Sequence, residues 1–114
     1  MILIIGGAYQ GKTEFVRERF GFSEEDLRER VSVHYEDVIR AQYEAGEDPV
    51  KKLCELLDRN PGICLIADEI GRGVVPVDKE ERQLREVIGR TLQEAARNAE
   101  EVYRVTCGIG EKIK

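Results

Sequence analysis

Glycine at positions 6, 7 and 11, followed by lysine at 12 and threonine at 13, brings together the residue types that hold a chain of phosphates. Read in full, Gly6, Gly7, Ala8, Tyr9, Gln10, Gly11, Lys12 and Thr13 fit the pattern G-x-x-x-x-G-K-[ST]. The glycines let the backbone curl so that successive N–H groups turn toward phosphate oxygens, and a helix starting near Lys12 adds its positive end. Lys12 is placed to reach the β- and γ-phosphates, and Thr13 to put its hydroxyl on Mg²⁺. All eight residues are therefore candidate nucleotide-binding groups, with Lys12 also a candidate catalytic group. A chance match in so short a chain is expected in well under about 1% of cases. The alternative is a glycine-rich strand-to-helix turn with no ligand, and the flanking strand and helix favour the phosphate loop over it.

A second set of chemical groups lies at Asp68 and Glu69, where the apolar run Ile63-Cys64-Leu65-Ile66-Ala67 ends. A carboxylate at a strand tip can hold Mg²⁺ directly or through water. Asp68 is assigned to the metal shell and Glu69 to orienting or deprotonating an attacking hydroxyl, although the two can exchange roles or simply cap the strand. Adjacent residues on a strand point to opposite faces, which leaves room for one of them at the metal. His34, the one histidine, has the chemistry of a general base or nucleotide carrier; the plainer reading is a partly buried residue at a strand end. Arg72, between two glycines, and Arg90, beside Gly89, are candidates to clamp phosphates.

The elements that must position these groups follow from pattern and punctuation. Ile2 to Ile5 is a short apolar run of the kind that forms a buried parallel strand. Lys12 to Phe20 reads as a helix closed by Gly21, and Ser23 caps a short acidic helix to Arg30. Val31 to His34 alternates as a second strand, Tyr35 to Ala45 forms a helix, and Asp48-Pro49 opens another. After the turn Asn60-Pro61-Gly62 comes the strand ending at Asp68. Lys79 to Ala99 is the longest helix, with Leu84, Val87, Ile88, Leu92, Ala95 and Ala99 as its apolar stripe. Val102 to Cys107 is a last strand, and Gly108-Ile109-Gly110 begins a tail. Strands alternating with helices predict a small, mostly parallel sheet between helical layers, with ligands beyond the strands' carboxyl ends.

The chain has 114 residues, 36% of them charged and 41% hydrophobic, which fits one nucleotide-binding domain over residues 1–114. A net charge of −5 without a basic cluster argues against nucleic-acid partners. The absence of a long apolar run argues against a membrane, and the expected location is the cytoplasm. Cys54, Cys64 and Cys107 match neither a disulfide framework nor a zinc pattern, and Cys64 and Cys107 read as small core residues in strands.

These residues resemble a known family, the adenosylcobinamide kinase/adenosylcobinamide-phosphate guanylyltransferases of cobalamin biosynthesis. The resemblance rests on Ile4-Ile5-Gly6-Gly7-Ala8 and Gly11-Lys12, and above all on Asp68-Glu69-Ile70-Gly71-Arg72-Gly73-Val74-Val75-Pro76. Arg82-Gln83-Leu84-Arg85-Glu86, Gly89-Arg90 and Gln93 are similar to the family's long helix, and Glu101-Val102-Tyr103 through Lys112-Ile113-Lys114 to its last strand and tail. It implies a P-loop NTPase-like three-layer sandwich, ATP or GTP as donor with Mg²⁺, and attachment of phosphate and then GMP to a corrinoid alcohol, cobinamide. It also implies a homo-oligomer whose neighbouring subunits help build the site.

The chain departs from the family pattern in three places. The family is longer between the first helix and the strand ending at Asp68, where it holds a histidine that becomes guanylylated. There is no Trp here, and His34-Tyr35-Glu36-Asp37 does not reproduce that histidine's surroundings, so its role is not carried onto His34. Tyr9 and Gln10 stand where the family usually has Arg and Ser, and Leu92 where it usually has Asn. The expected function is a nucleotide-dependent phosphotransferase. The alternatives are a catalytically reduced nucleotide-binding module with a regulatory or assembly role, or a kinase for another small alcohol.

Overall fold

The computed structural model describes residues 1–70 and 78–114. In chain order the elements are β1 Ile2–Gly6, α1 Lys12–Phe20, α2 Glu24–Arg30, β2 Val31–Ser32, α3 Tyr35–Glu44, α4 Pro49–Arg59, β3 Cys64–Asp68, α5 Lys79–Asn98, β4 Glu101–Thr106 and β5 Ile109–Lys112. The strands form one sheet in the order β2-β3-β1-β4-β5, parallel except for β5. This is the α/β sandwich that the alternating pattern predicts.

The period of two along each strand divides the core into two layers. Leu3, Leu65, Ala67 and Val102 face α3, α4 and α5, where they meet Tyr35, Ile39, Leu53, Leu84, Ile88 and Ala95. Ile4, Cys64, Ile66, Tyr103 and Val105 face the other way, onto Val16 of α1 with Phe15, Phe20, Phe22 and Leu27 beside it. β1 therefore has helices over both faces and strands at both edges.

Helix starts follow the capping residues in the sequence. Ser23 Oγ accepts from the Asp26 N–H at 3.1 Å while Asp26 Oδ2 accepts from the Ser23 N–H at 3.0 Å, a reciprocal box. Asp48 caps α4 through the Val50 N–H, and Asp78 caps α5 through the Glu80 N–H. α1 and α3 begin differently, at Gly11 and His34 in the left-handed region with no side-chain cap. Both of these helix starts adjoin the site described below.

Three details differ from the pattern reading. β2 stops at Ser32 rather than His34, because His34 takes φ 51° and becomes the residue that starts α3. The segment after Gly108 is a strand, not a tail: Cys107 (φ 50°) and Gly108 (φ 77°) make a two-residue turn with both central φ positive, and β5 folds back on β4. Gly110 interrupts the apolar signal of β5 for a packing reason, since a Cβ there would lie 2.1 Å from the Phe15 ring. Cys107 is consequently exposed at a turn instead of buried in a strand, while Cys64 is buried as expected. Gly71, Arg72, Gly73, Val74, Val75 and Pro76 lie outside the described residues.

Burial pushes the Cys64 thiol up to about 12, with the N-terminal ammonium pulling weakly the other way. Only the thiolate reacts quickly with disulfide reagents. Thiol titration of the native protein at pH 8 should therefore count Cys54 and Cys107, with Cys64 reacting only after unfolding.

Candidate functional site

β1 delivers the chain to Gly6, and the sheet leaves no space there for a side chain. A Cβ on Gly6 would sit 2.4 Å from the Val105 carbonyl oxygen of β4. Gly11 has φ 87°, a conformation that costs glycine little and other residues more, and it opens α1 without a side-chain cap. The first N–H groups of α1 therefore have no side chain from Gly11 to accept from them, which leaves the positive end of the helix open toward the cleft. Between these glycines the loop is pinned to the β4–β5 turn. The Gln10 carbonyl accepts from the Gly108 N–H at 2.7 Å, and Gln10 Oε1 accepts from the Cys107 N–H at 2.7 Å.

Lys12 begins α1 and is only 7% exposed. Its ammonium donates to the Gly7 carbonyl at 2.5 Å and pairs with Asp68 Oδ1 at 2.6 Å. A buried ammonium is tolerable only when paired and hydrogen-bonded, and both conditions are met here. Sheet register makes the pairing possible: Gly6 lies opposite Asp68, and the Glu69 N–H donates to the Gly6 carbonyl at 2.8 Å. Ala8, Tyr9, Gln10, Gly11, Lys12, Thr13 and Asp68 line one cleft of about 350 Å³, together with Val33 and His34. That volume falls within the range of small-molecule sites.

The structure separates the two strand-tip acids as strand geometry requires. Asp68 lies in the cleft. Glu69 lies toward the α5 layer, where its Oε1 accepts from Arg104 Nε at 2.8 Å and it lines a separate cleft with Gly6, Gly7 and Gln10. Thr13 is exposed within the Lys12 cleft, so its hydroxyl and the Asp68 carboxylate are hard oxygen donors of the kind Mg²⁺ takes. The donor set and the open N-terminus of α1 fit a Mg²⁺–triphosphate. Arg90 is exposed on α5 and does not line this cleft, and Arg72 lies outside the described residues.

One residue of the site is not evident from the sequence. Glu36, in the first turn of α3, is 5% exposed; its Oε1 accepts from the Asp68 N–H at 2.8 Å, and its Oε2 is 3.3 Å from His34 Nδ1. Nothing in the spacing marks it, since an acid in a helix's first turn is common for dipole reasons alone. His34, Glu36 and Asp37 bring ligand atoms within 4.8 Å of one another, yet the Glu36 oxygens are already engaged by Asp68 and His34.

A central strand, a glycine loop, a lysine at the next helix's first position and an aspartate on the neighbouring strand tip together define a P-loop NTPase-like α/β protein. The family model described as cobinamide kinase / cobinamide phosphate guanyltransferase matches residues 27–113, and the chain belongs to that family. The match begins beyond the phosphate loop, so loop and family are separate observations. Among curated relatives, the bifunctional adenosylcobalamin biosynthesis protein CobU of Salmonella typhimurium strain LT2 is 37% identical over 75 residues, 65% of this chain and 41% of that protein. The protein of the same name from Escherichia coli K12 is 36% identical over 76 residues, 66% of this chain and 42% of that protein. The matched stretch thus spans about two fifths of either relative. No helix among the described residues is long and apolar enough to cross a membrane.

The loop glycines differ in how tightly they are packed, which separates their roles. Gly6→Ala should cost about 1–3 kcal/mol by forcing β1 away from β4. Gly7→Ala, whose Cβ would meet only Gln10 Cγ at 3.6 Å, should stay within about 0.5 kcal/mol of the parent. Urea unfolding of the two variants checks the difference.

Proposed function

We propose that this chain binds ATP or GTP with Mg²⁺ in the Lys12 cleft and transfers phosphate to an alcohol, with cobinamide the first acceptor to test. The observation that carries the reading is the Lys12 ammonium held between the Gly7 carbonyl and Asp68 at the mouth of an uncapped helix. A cation held by two partners beside open backbone N–H groups is ready to exchange those partners for phosphate oxygens. The family's description and the relatives' role in adenosylcobalamin biosynthesis support the choice of acceptor.

In this reading the loop N–H groups and the α1 N-terminus fix the phosphate chain, and Lys12 swings its charge from Asp68 onto the β- and γ-phosphates. Asp68, released from Lys12, and Thr13 would hold Mg²⁺, which supplies charge neutralisation at the transferring phosphoryl group. Catalysis then comes mainly from position and charge, because phosphoryl transfer asks for little covalent chemistry from the protein. Family membership and the small single sheet also support a homo-oligomer.

A second reading is a nucleotide-binding module without transfer. It is favoured by one observation: Glu69, the expected partner of the attacking hydroxyl, faces Arg104 on the other side of β3 from Lys12. Under that reading nucleotide binds and no phosphorylated cobinamide forms.

Lys12→Ala should weaken ATP and GTP binding by about a hundredfold or more, as read by isothermal titration in the presence of Mg²⁺. Unchanged affinity would remove the nucleotide assignment. Titration with cobinamide and assay of labelled phosphate transfer then separate the kinase from the non-transferring module.

A further inference from the structure

Glu36 is an unusual residue to bury. A carboxylate removed from water needs charge-assisted hydrogen bonds to remain ionised without a large penalty. Here one oxygen accepts from the Asp68 N–H and the other lies beside the His34 ring, while the first turn of α3 adds the favourable end of its dipole. Both described partners line the Lys12 cleft. The neighbouring positions on α3, Tyr35 and Ile39, are buried in the apolar core.

The need for Glu36 follows from sheet topology. β2 is two residues long and its pairing with β3 ends at Ser32 opposite Leu65. β3 continues to Asp68, so its last three residues run past the end of the neighbouring strand on that side. A backbone N–H in that stretch would have no sheet partner there, and an unmet donor costs free energy. The Glu36 side chain takes the place of the missing strand at Asp68.

We propose that Glu36 is a positioning residue for the nucleotide site. It fixes the backbone of the β3 tip, so that the Asp68 carboxylate stays in line with Lys12 and with the position that Mg²⁺ would occupy. The proposal rests on the nucleotide reading above for its functional consequence, and on the geometry alone for its structural one. Glu36 acts through Asp68 and has no direct contact with substrate.

The two parts are tested separately. In nucleotide-free protein, Glu36→Ala should speed hydrogen exchange at the Asp68 amide at least tenfold while amides in the middle of β1 keep their protection. Glu36→Gln, whose side-chain oxygen still accepts, should exchange close to the parent rate. In titrations with ATP, Glu36→Ala should lose about tenfold in affinity with Mg²⁺ present and less than twofold in EDTA, and Glu36→Gln should recover most of the loss. If Glu36→Ala does not fold, Glu36→Asp keeps the charge and withdraws the oxygen by one methylene, and the same exchange and titration comparisons apply to it. An Asp68 amide that exchanges at the parent rate in these variants overturns the proposal. Equal losses with Mg²⁺ and in EDTA overturn it too, since they would mean a general loosening of the fold. If the parent chain binds no nucleotide, the functional reading fails, and amide exchange alone decides whether Glu36 holds the strand tip.

Discussion

The pairing of Lys12 with Asp68 depends on a strand register and a glycine, and most of the structure serves to maintain both. Gly6 and Asp68 end adjacent parallel strands at the same height. Were either strand to slip by one residue, the side chains would exchange faces and Asp68 would move to the α5 side, where Glu69 now lies. The two core layers prevent the slip, because each buries alternate residues of β1, β3 and β4 against different helices. Packing far from the cleft thus decides which acid meets the lysine.

The loop between β1 and α1 has a second source of order in the β4–β5 turn. Both N–H groups of the Cys107-Gly108 turn are accepted by Gln10, one by its carbonyl and one by its side chain. Gly11 also passes close to Gly108, and Phe15 of α1 lies over Gly110 of β5. An antiparallel hairpin at the edge of the sheet therefore supports a loop at its centre. The arrangement gives Gln10 a structural use that a smaller serine at the same position could not copy through the same reach.

Much of this was legible in the residues. The glycine turn from β1 into α1, the helix starts at Ser23 and Asp48, and the apolar strands of β1 and β3 all follow from local rules that tertiary packing did not override. So did the opposite orientation of Asp68 and Glu69, which needs only the strand period. What escaped was set by contacts distant in sequence. β5 looked like a tail because Gly110 weakens the strand signal, and that glycine answers to Phe15 ninety-odd positions earlier. Cys107 looked like core because positive φ at a cysteine has no sequence signature. Glu36 was hidden for the same reason, since its partner Asp68 lies 32 positions away and no pattern links them.

The place of β1 in the sheet has a consequence for how the protein is made. β1 is synthesised before both of its neighbours, β3 and β4, which come from much later in the chain. Its backbone has no parallel partner until Cys64–Asp68 emerges, and its second edge stays open until Glu101–Thr106 follows. Such non-local pairing is slow, because long loops must close before any contact rewards them. The nascent chain therefore carries the loop between β1 and α1 without its sheet partners until β3 and β4 have been made, and the Lys12 cleft takes shape only then.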